Sequence, residues 1–414
     1  MRASTGGASR RGTTHDQHLT TERLVPPATS ASSPLRLVVL MSIASPWSRE
    51  VVRHLTQLGV AVHIVELQPR GAVRGYIEHG RAKHSSAVDE LEQHAASVHR
   101  VATPRWMPRR LWSSAAAVAR IARECDADAM LTLYGGSLAA TAYLSRVRPY
   151  IVYAVGSDVL LASSLERVVA RIALTRSAAV LANGDHLARR TIELAPHAHV
   201  TAHLLGVDLS EYAPSPIATG RRAFVCTRGF VDVYDNGTIV RALGRLRDVP
   251  SDLSVSFLSS GPLLAETERL ADEVVPATWR SRVVFHGGVS HEQLKKSIQS
   301  SSFYVSASRS DGTSASLLEA MASGLIPIVS DIPANREWIE HDRNGLLFKP
   351  GDDGELATAL ARAIAYERWM DGAREANRRL VETRADARAN MTTLRDILRT
   401  HSRRVQVAPT TGVA

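Results

Sequence analysis

The chain has 414 residues with a hydrophobic fraction of 44%, which is ordinary for a globular protein and long enough for two domains. Two cysteines far apart in sequence argue against a disulfide framework. The sequence contains no run of about 18 apolar residues, so no membrane-spanning helix is predicted. The net charge of +9 is unevenly divided: residues 34–205 hold 20 basic and 13 acidic side chains, and residues 206–400 hold 24 and 26. The first half is therefore expected to meet an anionic partner.

The two ends of the chain differ in composition from the middle. Residues 1–33 are rich in Ser, Thr, Gly and Ala and contain no apolar stretch, which predicts a disordered tail and not a secretory signal. Residues 401–414 are predicted to be a second disordered tail. Together with the scarcity of cysteine, this predicts a cytoplasmic location.

Short apolar runs alternate with helix-like segments from residue 35 onward. The runs expected to be buried parallel strands are 35–42, 60–67, 127–134, 150–155, 178–182 and 199–206 in a first series, and 222–227, 253–260, 282–287, 303–308, 325–330 and 345–350 in a second. This alternation predicts an α/β protein with doubly wound parallel sheets, and the two series predict two Rossmann-like domains.

Domain boundaries follow from the two series. We expect a first domain at 34–205, a linker rich in Pro and Gly at 206–220, and a second domain at 221–370. The helical segment 371–400 is expected to cross back to the first domain.

The stretch "SRSDGTSASLLEAMASGLIPIVS" at 308–330 places Asp311 and Glu319 on either side of a predicted helix start. Ligands of open α/β sheets bind beyond the carboxyl ends of the strands, and the N–H groups at a helix start favour phosphate. One carboxylate on each side of a diphosphate fits a nucleotide sugar, with one acid on the sugar and one on the ribose. The alternative is that Ser314 caps the helix and both acids are solvated.

The longer segment "SDGTSASLLEAMASGLIPIVSDIPANREWIEHDRNGLLFKPGD" closely resembles the donor site of glycosyltransferase family 4. That family carries two acidic residues separated by seven others, followed by Ala-Met-Ala-x-Gly-x-Pro. Asp311 and Glu319 take the acidic positions here, and Gly324 and Pro327 match the end of the motif. The resemblance implies a retaining enzyme with the GT-B fold, in which two Rossmann-like domains face each other across a cleft. It covers residues 35–370 and is loose in the first half.

The resemblance also implies roles for individual residues, which divide between a donor side in the second domain and an acceptor side in the first. Glu319 is expected to bind the ribose, Asp311 the sugar, and Arg228 of "FVCTRGF" the leaving diphosphate. Asp158 of "GSD" is the third catalytic candidate, expected to bind or orient the acceptor hydroxyl, and its alternative role is a helix cap. The remaining candidates are Gly312, Thr313, Ser314, Ala315, Ser316 and Leu317 around the phosphates, and Gly288 and Val289 beside the base. Apart from the resemblance, Ser45 and Ser48 are expected on the acceptor side because they follow the first strand.

Two departures from the family pattern leave a second function open. Asp311 is one methylene shorter than the usual Glu, and the segment after Arg228 lacks the Lys that many members carry. A catalytically silent GT-B protein that binds a saccharide or acts as a scaffold is the alternative. We expect no cofactor and no metal, because no Asp-x-Asp or His-x-x-His constellation is present.

The expected partners are a nucleotide-sugar donor and a saccharide or lipid-linked acceptor. The segment "PRWMPRRLW" at 104–112 mixes arginines with tryptophans, which predicts weak contact with an anionic membrane surface at its cytoplasmic face. The alternative is that these tryptophans cover the edge of the sheet. Nucleic-acid binding is not expected, because no motif with interleaved aromatic residues appears.

Overall fold

The computed structural model describes residues 33–43, 45–69, 91–104, 107–214, 222–366 and 369–406. Two parallel sheets organise them, one in each half of the chain. Residues 105–106 of the predicted membrane contact, residues 215–220 of the predicted linker and both predicted tails except their innermost residues lie outside this description.

The first sheet contains seven parallel strands in the order β3-β2-β1-β4-β5-β6-β7. The strands are β1 Leu35–Leu40, β2 Val60–Pro69, β3 Ser97–Thr103, β4 Ala129–Leu133, β5 Tyr150–Ala154, β6 Ala179–Ala182 and β7 Val200–Ala202. Strands β1, β4 and β5 are almost completely buried, as continuous apolar runs predict. The prediction missed β3, because this edge strand reads "SVHRVAT", is only half-buried and has no continuous apolar run.

The helices of the first half cover both faces of this sheet. They are α1 Pro46–Gln57, α2 Met107–Glu124, α3 Ser137–Ser145, α4 Ser157–Leu160, α5 Ser164–Thr175 and α6 Asp185–Leu194. Helices α2, α3 and α5 bury their apolar sides in one cluster with Val38, Met130 and Val152, so these three lie on the same face. Helix α1 packs on the opposite face, through Val51, Val52 and Leu55.

The second sheet contains six parallel strands in the order β10-β9-β8-β11-β12-β13. The strands are β8 Ala223–Cys226, β9 Ser254–Phe257, β10 Val283–Phe285, β11 Phe303–Ser306, β12 Ile326–Ser330 and β13 Leu346–Phe348. The helices are α7 Asn236–Arg245, α8 Leu264–Val274, α9 His291–Gln299, α10 Ala315–Ala322, α11 Pro333–Arg336, α12 Asp353–Ala365, α13 Trp369–Arg384, α14 Ala387–Thr400 and α15 Arg403–Gln406. Each of the six strands lies within a predicted run.

The chain passes between the two halves at two neighbouring places. At the first, Val207 pairs with Asp386 in an isolated bridge, and Gly206 lies so close that a Cβ there would meet the Ala385 carbonyl at 2.7 Å. At the second, the chain turns from α13 into α14, whose Met391 and Leu394 join the core of the first sheet. The two halves are thus joined by two segments of backbone that lie next to each other. None of the described helices combines the length and the apolar character needed to cross a bilayer.

Candidate functional site

Arg228 lies in the loop after β8, at the carboxyl edge of the second sheet, and is 8% exposed. Its guanidinium donates through Nη2 to Asp311 Oδ2 at 2.6 Å and through Nη1 to Ser314 Oγ at 2.9 Å. The guanidinium carbon lies 3.8 Å from the centre of the Tyr234 ring. Burial disfavours the charge of Arg228, but the Asp311 carboxylate outweighs it and raises the pKa of the guanidinium. A cation is therefore held in place at the edge where ligands of this type of sheet bind.

Asp311 is not solvated, in contrast to the alternative expectation for this segment. Its side chain is 18% exposed, and burial raises the pKa of the carboxyl while the charge of Arg228 opposes that rise. The 2.6 Å contact with the guanidinium makes the two groups an ion pair at neutral pH. The other half of the alternative is observed, because Ser314 is the N-cap of α10 and accepts from the Leu317 N–H.

The start of α10 offers further donors to an anion. Helix geometry leaves the N–H groups of Ala315 and Ser316 without an intrahelical partner, and both residues are half-buried. Leu317 contributes only backbone, since its side chain is buried in the core. Two free N–H groups beside a fixed guanidinium form an anion-binding corner.

Several buried polar atoms around this corner have no hydrogen-bond partner among the described residues. They are Thr227 Oγ1, Arg228 Nε and Thr313 Oγ1. Buried polar groups without partners are uncommon in native proteins, because their desolvation is not compensated. Unpartnered atoms on Arg228 and Thr313, on either side of the Asp311 segment, are compatible with a site for a polar ligand.

Glu319 lies one turn further along α10 and is half-buried. Burial raises the pKa of its carboxyl to about 7, against the opposing effects of His291 and the Tyr212 hydroxyl. Val289, one of the residues predicted to flank the base, packs against the core cluster that contains Leu317 and Leu318. Gly288 precedes it at the end of the loop after β10. The predicted donor residues therefore gather around α10.

Arg228, Asp311, the start of α10 and Glu319 are here called the donor corner. Loops of the first half contact it directly. A Cβ on Gly156, which follows β5, would meet the Gly312 nitrogen at 3.1 Å. The Thr313 N–H donates to the Asn183 carbonyl, and the Asn183 amide donates back to the Thr313 carbonyl, both at 3.1 Å. The cleft is closed at this point by backbone contact.

A second contact between the halves lies next to the first. The carboxylate of Glu337, after α11, accepts from the N–H groups of Asp185 and His186 at the start of α6. Gly184 has a φ of +116°, which side chains rarely adopt, and a Cβ there would also meet Thr313 Oγ1, so glycine is favoured at this position. Sequence reasoning missed Asn183, Gly184 and Glu337, because their partners lie more than a hundred residues away. The glycine between β6 and α6 was the available signal.

Two of the three acceptor-side candidates, Asp158 and Ser48, make hydrogen bonds to backbone groups inside the fold. Asp158 is 4% exposed and both its carboxylate oxygens accept backbone N–H groups, from Gly135 and Gly156 among others. It holds the two loops that face the donor corner, and its contact with an acceptor hydroxyl stays a prediction. Ser48 is buried and donates to the Ser42 carbonyl at 2.6 Å, so the expectation that it faces the cleft is corrected. Ser45 is half-exposed at the start of α1.

The sequence offers Arg309 and Lys349 as nearby cations that could replace the missing Lys. In the structure neither of them joins Arg228. Arg309 is engaged with Asp235 at 2.9 Å, and the side chain of Lys349 is exposed on the loop after β13. The Tyr234 ring instead occupies the space beside Arg228. Arg228 and the start of α10 would therefore share the charge of a diphosphate.

A separate group of charged residues, here called the linker cluster, joins α1, residues 207–212 and α9. Its members are Glu50, Arg53, His54, Asp208, Glu211 and His291. Arg53 contacts Glu50 at 2.5 Å, Asp208 at 2.9 Å and Glu211 at 3.1 Å. The side chains of Glu50, His54 and Asp208 approach closely enough to ligate a cation, but the Arg53 guanidinium already contacts both carboxylates.

Comparison with known proteins places this geometry in context. Residues 225–365 match the family model described as glycosyl transferases group 1. The chain is 37% identical over 76 residues to the GDP-mannose:cellobiosyl-diphosphopolyprenol alpha-mannosyltransferase of Xanthomonas oryzae pv. oryzae. It is 25% identical over 177 residues to the GDP-mannose-dependent alpha-(1-6)-phosphatidylinositol monomannoside mannosyltransferase of Mycobacterium tuberculosis. These alignments cover 18% and 39% of this chain and 20% and 44% of the relatives, so they span less than half of either.

The fold itself is shared over almost the whole length. The crystal structure of HepE from Anabaena in complex with UDP-glucose covers 88% of this chain and 100% of that chain, with a TM-score of 0.72 at 16% identity. The protein therefore has the GT-B fold, and the predicted fold class is confirmed.

Proposed function

We propose that this protein is a retaining glycosyltransferase that moves a sugar from a nucleotide-diphosphate donor to a hydroxyl of a saccharide. The observation that carries the proposal is the convergence of Arg228, the start of α10 and Glu319, with unsatisfied buried polar atoms between them. The family match over residues 225–365 covers the same elements and supports sugar transfer.

The cation and the helix start account for the leaving group. As the bond between the anomeric carbon and the diphosphate breaks, negative charge grows on the phosphate oxygens. Arg228 and the N–H groups of Ala315 and Ser316 are fixed before the reaction, so they stabilise that charge without reorganising. The acceptor oxygen forms the new bond to the anomeric carbon on the same face, and its proton passes to the departing diphosphate oxygen.

The two carboxylates would have different tasks. Glu319, with a pKa near 7, is ionised enough at neutral pH to accept hydrogen bonds from ribose hydroxyls. Asp311 is held at 2.6 Å from Arg228 and would orient the sugar beside the diphosphate. The Asp311 side chain has the length that this contact needs. A longer carboxylate would push the Arg228 guanidinium away from Ser314.

A lipid-linked acceptor is the finer part of the proposal. The names of both mannosyltransferase relatives specify acceptors attached to lipids, a diphosphopolyprenol in one and a phosphatidylinositol in the other. The excess of basic residues at 34–205 is compatible with a phosphorylated acceptor of that kind.

Donor binding tests the proposal directly. Thermal unfolding is measured with UDP-glucose, GDP-mannose, UDP and GDP, because a ligand that binds the native state raises the melting temperature. We expect stabilisation by at least one nucleotide sugar, its loss in Glu319→Gln, and its retention in Glu268→Gln, an exposed control on α8. Slow hydrolysis of the bound donor, followed by NMR of the released anomer, reports activity and stereochemistry. A protein that binds nucleotide sugars without any hydrolysis or transfer would instead be the silent GT-B protein.

A further inference from the structure

Helix α5 carries an apolar stripe on its solvent side. The stripe consists of Leu161, Leu165, Val168 and Ile172, which are 55%, 75%, 58% and 47% exposed. Leu161 lies in the turn before the helix, and the other three follow helical spacing on one side. These four are more than half of the well-exposed large apolar side chains among the described residues. Apolar side chains grouped in this way mark a surface that meets another apolar phase.

Exposed arginines lie on one side of the stripe and at the C-terminal end of the helix, without acidic partners among the described residues. Arg167, Arg171 and Arg176 are exposed, and none of them forms a salt bridge with another described residue. The acidic residue of the helix, Glu166, is engaged in the capping box with Ser163. An exposed apolar stripe with arginines along one edge and at the helix end can lie in the interface of an anionic bilayer, because long arginine side chains reach from that edge to the headgroups.

The stripe begins close to the reaction cleft. Leu161 follows α4, which Asp158 ties to the loops at Gly135 and Gly156, and Gly156 touches the donor segment at Gly312. Trp112, 63% exposed on α2, lies on the same face of the sheet, since α3 packs between α2 and α5. Because helices pack about 10 Å apart, α2 and α5 are about 20 Å apart. One flat surface can therefore reach both helices beside the cleft.

We propose that the apolar stripe of α5 and its arginines dock the first half of the protein on an anionic phospholipid bilayer. The docked cleft would take the saccharide of a lipid-linked acceptor as it stands in the membrane, which rests on the acceptor class proposed above. The surface differs from the predicted contact at 104–112, in which the side chains of residues 105–108 lie outside the described part of the chain. A symmetric pairing of two copies of α5 is disfavoured, because it would bring unpaired arginines together.

Vesicle co-sedimentation tests the proposal with the full chain. Vesicles of phosphatidylglycerol and phosphatidylcholine are compared with pure phosphatidylcholine, at low salt and at about 1 M salt, where charge is screened beyond about 3 Å. We expect binding to the anionic vesicles at low salt, weaker binding at high salt, and little binding to neutral vesicles.

Matched variants locate the contact. Leu165→Gln combined with Val168→Gln and Ile172→Gln should lower partitioning at least tenfold, whereas Ile192→Gln with Val284→Gln, exposed apolar residues elsewhere, should not. Arg167→Gln with Arg171→Gln should lower it at least threefold, and the exposed pair Arg247→Gln with Arg388→Gln should leave it unchanged. Melting temperatures without vesicles verify that each variant is folded.

The outcomes separate this inference from the proposed function. If the parent ignores anionic vesicles, or if the stripe variant binds as well as the parent, the docking surface is wrong even where nucleotide sugars still bind. If the parent is a dimer that ignores vesicles and the stripe variant is a monomer, α5 is an interface between copies. Failure of nucleotide-sugar binding in vesicle-free solution would overturn the proposed function and leave the vesicle result standing.

Discussion

The donor corner and the linker cluster both contain arginine and glutamate, but the pKa values of their glutamates shift in opposite directions. In the linker cluster, Arg53 reaches three carboxylates, and the hydrogen bond from His291 leads the interactions that lower the pKa of Glu211 to about 2. In the donor corner, burial raises the pKa of Glu319 to about 7, and polar atoms nearby have no partner. Charges that pair with one another stabilise the fold, whereas a buried carboxylate with a raised pKa beside a helix start is typical of a functional site.

The two groups also differ in their position relative to the places where the chain passes between the halves. The linker cluster joins α1, residues 207–212 and α9 near the place where the chain passes between the halves. The donor corner lies where loops of the two halves meet, at Gly156 and Gly312. The charges of the linker cluster pair mainly with one another, whereas Arg228 in the cleft pairs with Asp311 and also faces the start of α10.

The largest effect is expected from Arg228→Ala. The turnover number should fall at least about a hundredfold, or about 2.7 kcal/mol, with a smaller change in KM, because the contact strengthens as charge grows on the leaving group. Steady-state kinetics with the best donor measures it. Arg228→Lys keeps a positive charge next to Asp311 and separates lost catalysis from a lost ion pair. Arg247→Ala, exposed and distant, is the control, and normal turnover in Arg228→Ala would show that another cation does the work.

Glu211→Gln should lower the free energy of unfolding by about 2 kcal/mol at pH 7, with a smaller change in donor affinity, which the shared neighbour His291 can transmit to Glu319. The folded pKa of Glu211 lies below its ordinary 4.5, so its stabilisation is present above that pH and is lost as the pH falls through about 2. The difference between parent and variant should shrink over that window in urea unfolding. The control is Glu375→Gln, whose ion pair with Arg379 is exposed and should contribute at most about 0.5 kcal/mol. Equal losses in both variants would contradict the distinction between the two regions.

Glu319→Gln should weaken nucleotide-sugar binding about tenfold at pH 8, or about 1.4 kcal/mol, as measured by calorimetry. With a folded pKa of about 7, the parent should bind up to about tenfold weaker at pH 6 than at pH 8, because the carboxyl is then mostly protonated. The variant should show no such dependence.

The same substitution has a signature in stability. The raised pKa of Glu319 favours the folded state below about 4.5, and this contribution is lost as the pH rises through about 7. Glu319→Gln should therefore gain melting temperature relative to the parent at pH 8 and not at pH 4. A pH-independent difference would mean that Glu319 is not the titrating group.

The smallest effect is expected from Asp311→Glu, which restores the residue found in the family pattern. An added methylene in the buried contact with Arg228 should shift the guanidinium and lower kcat/KM by about threefold, or about 0.7 kcal/mol. Asp311→Asn, which removes the charge and leaves Arg228 unpaired, should have the larger effect. A gain in activity for Asp311→Glu would indicate that the shorter side chain limits contact with the sugar.

The sequence by itself determined the parallel sheets and the start of helix α10. Continuous apolar runs specify buried strands because both faces of such a sheet are covered, and the small residues between Asp311 and Glu319 specify where a helix starts. It did not reveal β3, whose half-buried edge position weakens the apolar signal.

The tertiary structure alone decided which charges are paired. The Asp158 carboxylate accepts N–H groups from two loops, and Ser48 donates to a carbonyl inside the fold. The Glu337 carboxylate accepts N–H groups at the start of α6, across the cleft. The physical reason is that a local pattern depends on neighbours a few residues away, whereas the pairing of a carboxylate depends on whichever element the fold brings within about 3 Å. Glu211 and Glu319 are the same residue type, and only their surroundings place one pKa near 2 and the other near 7.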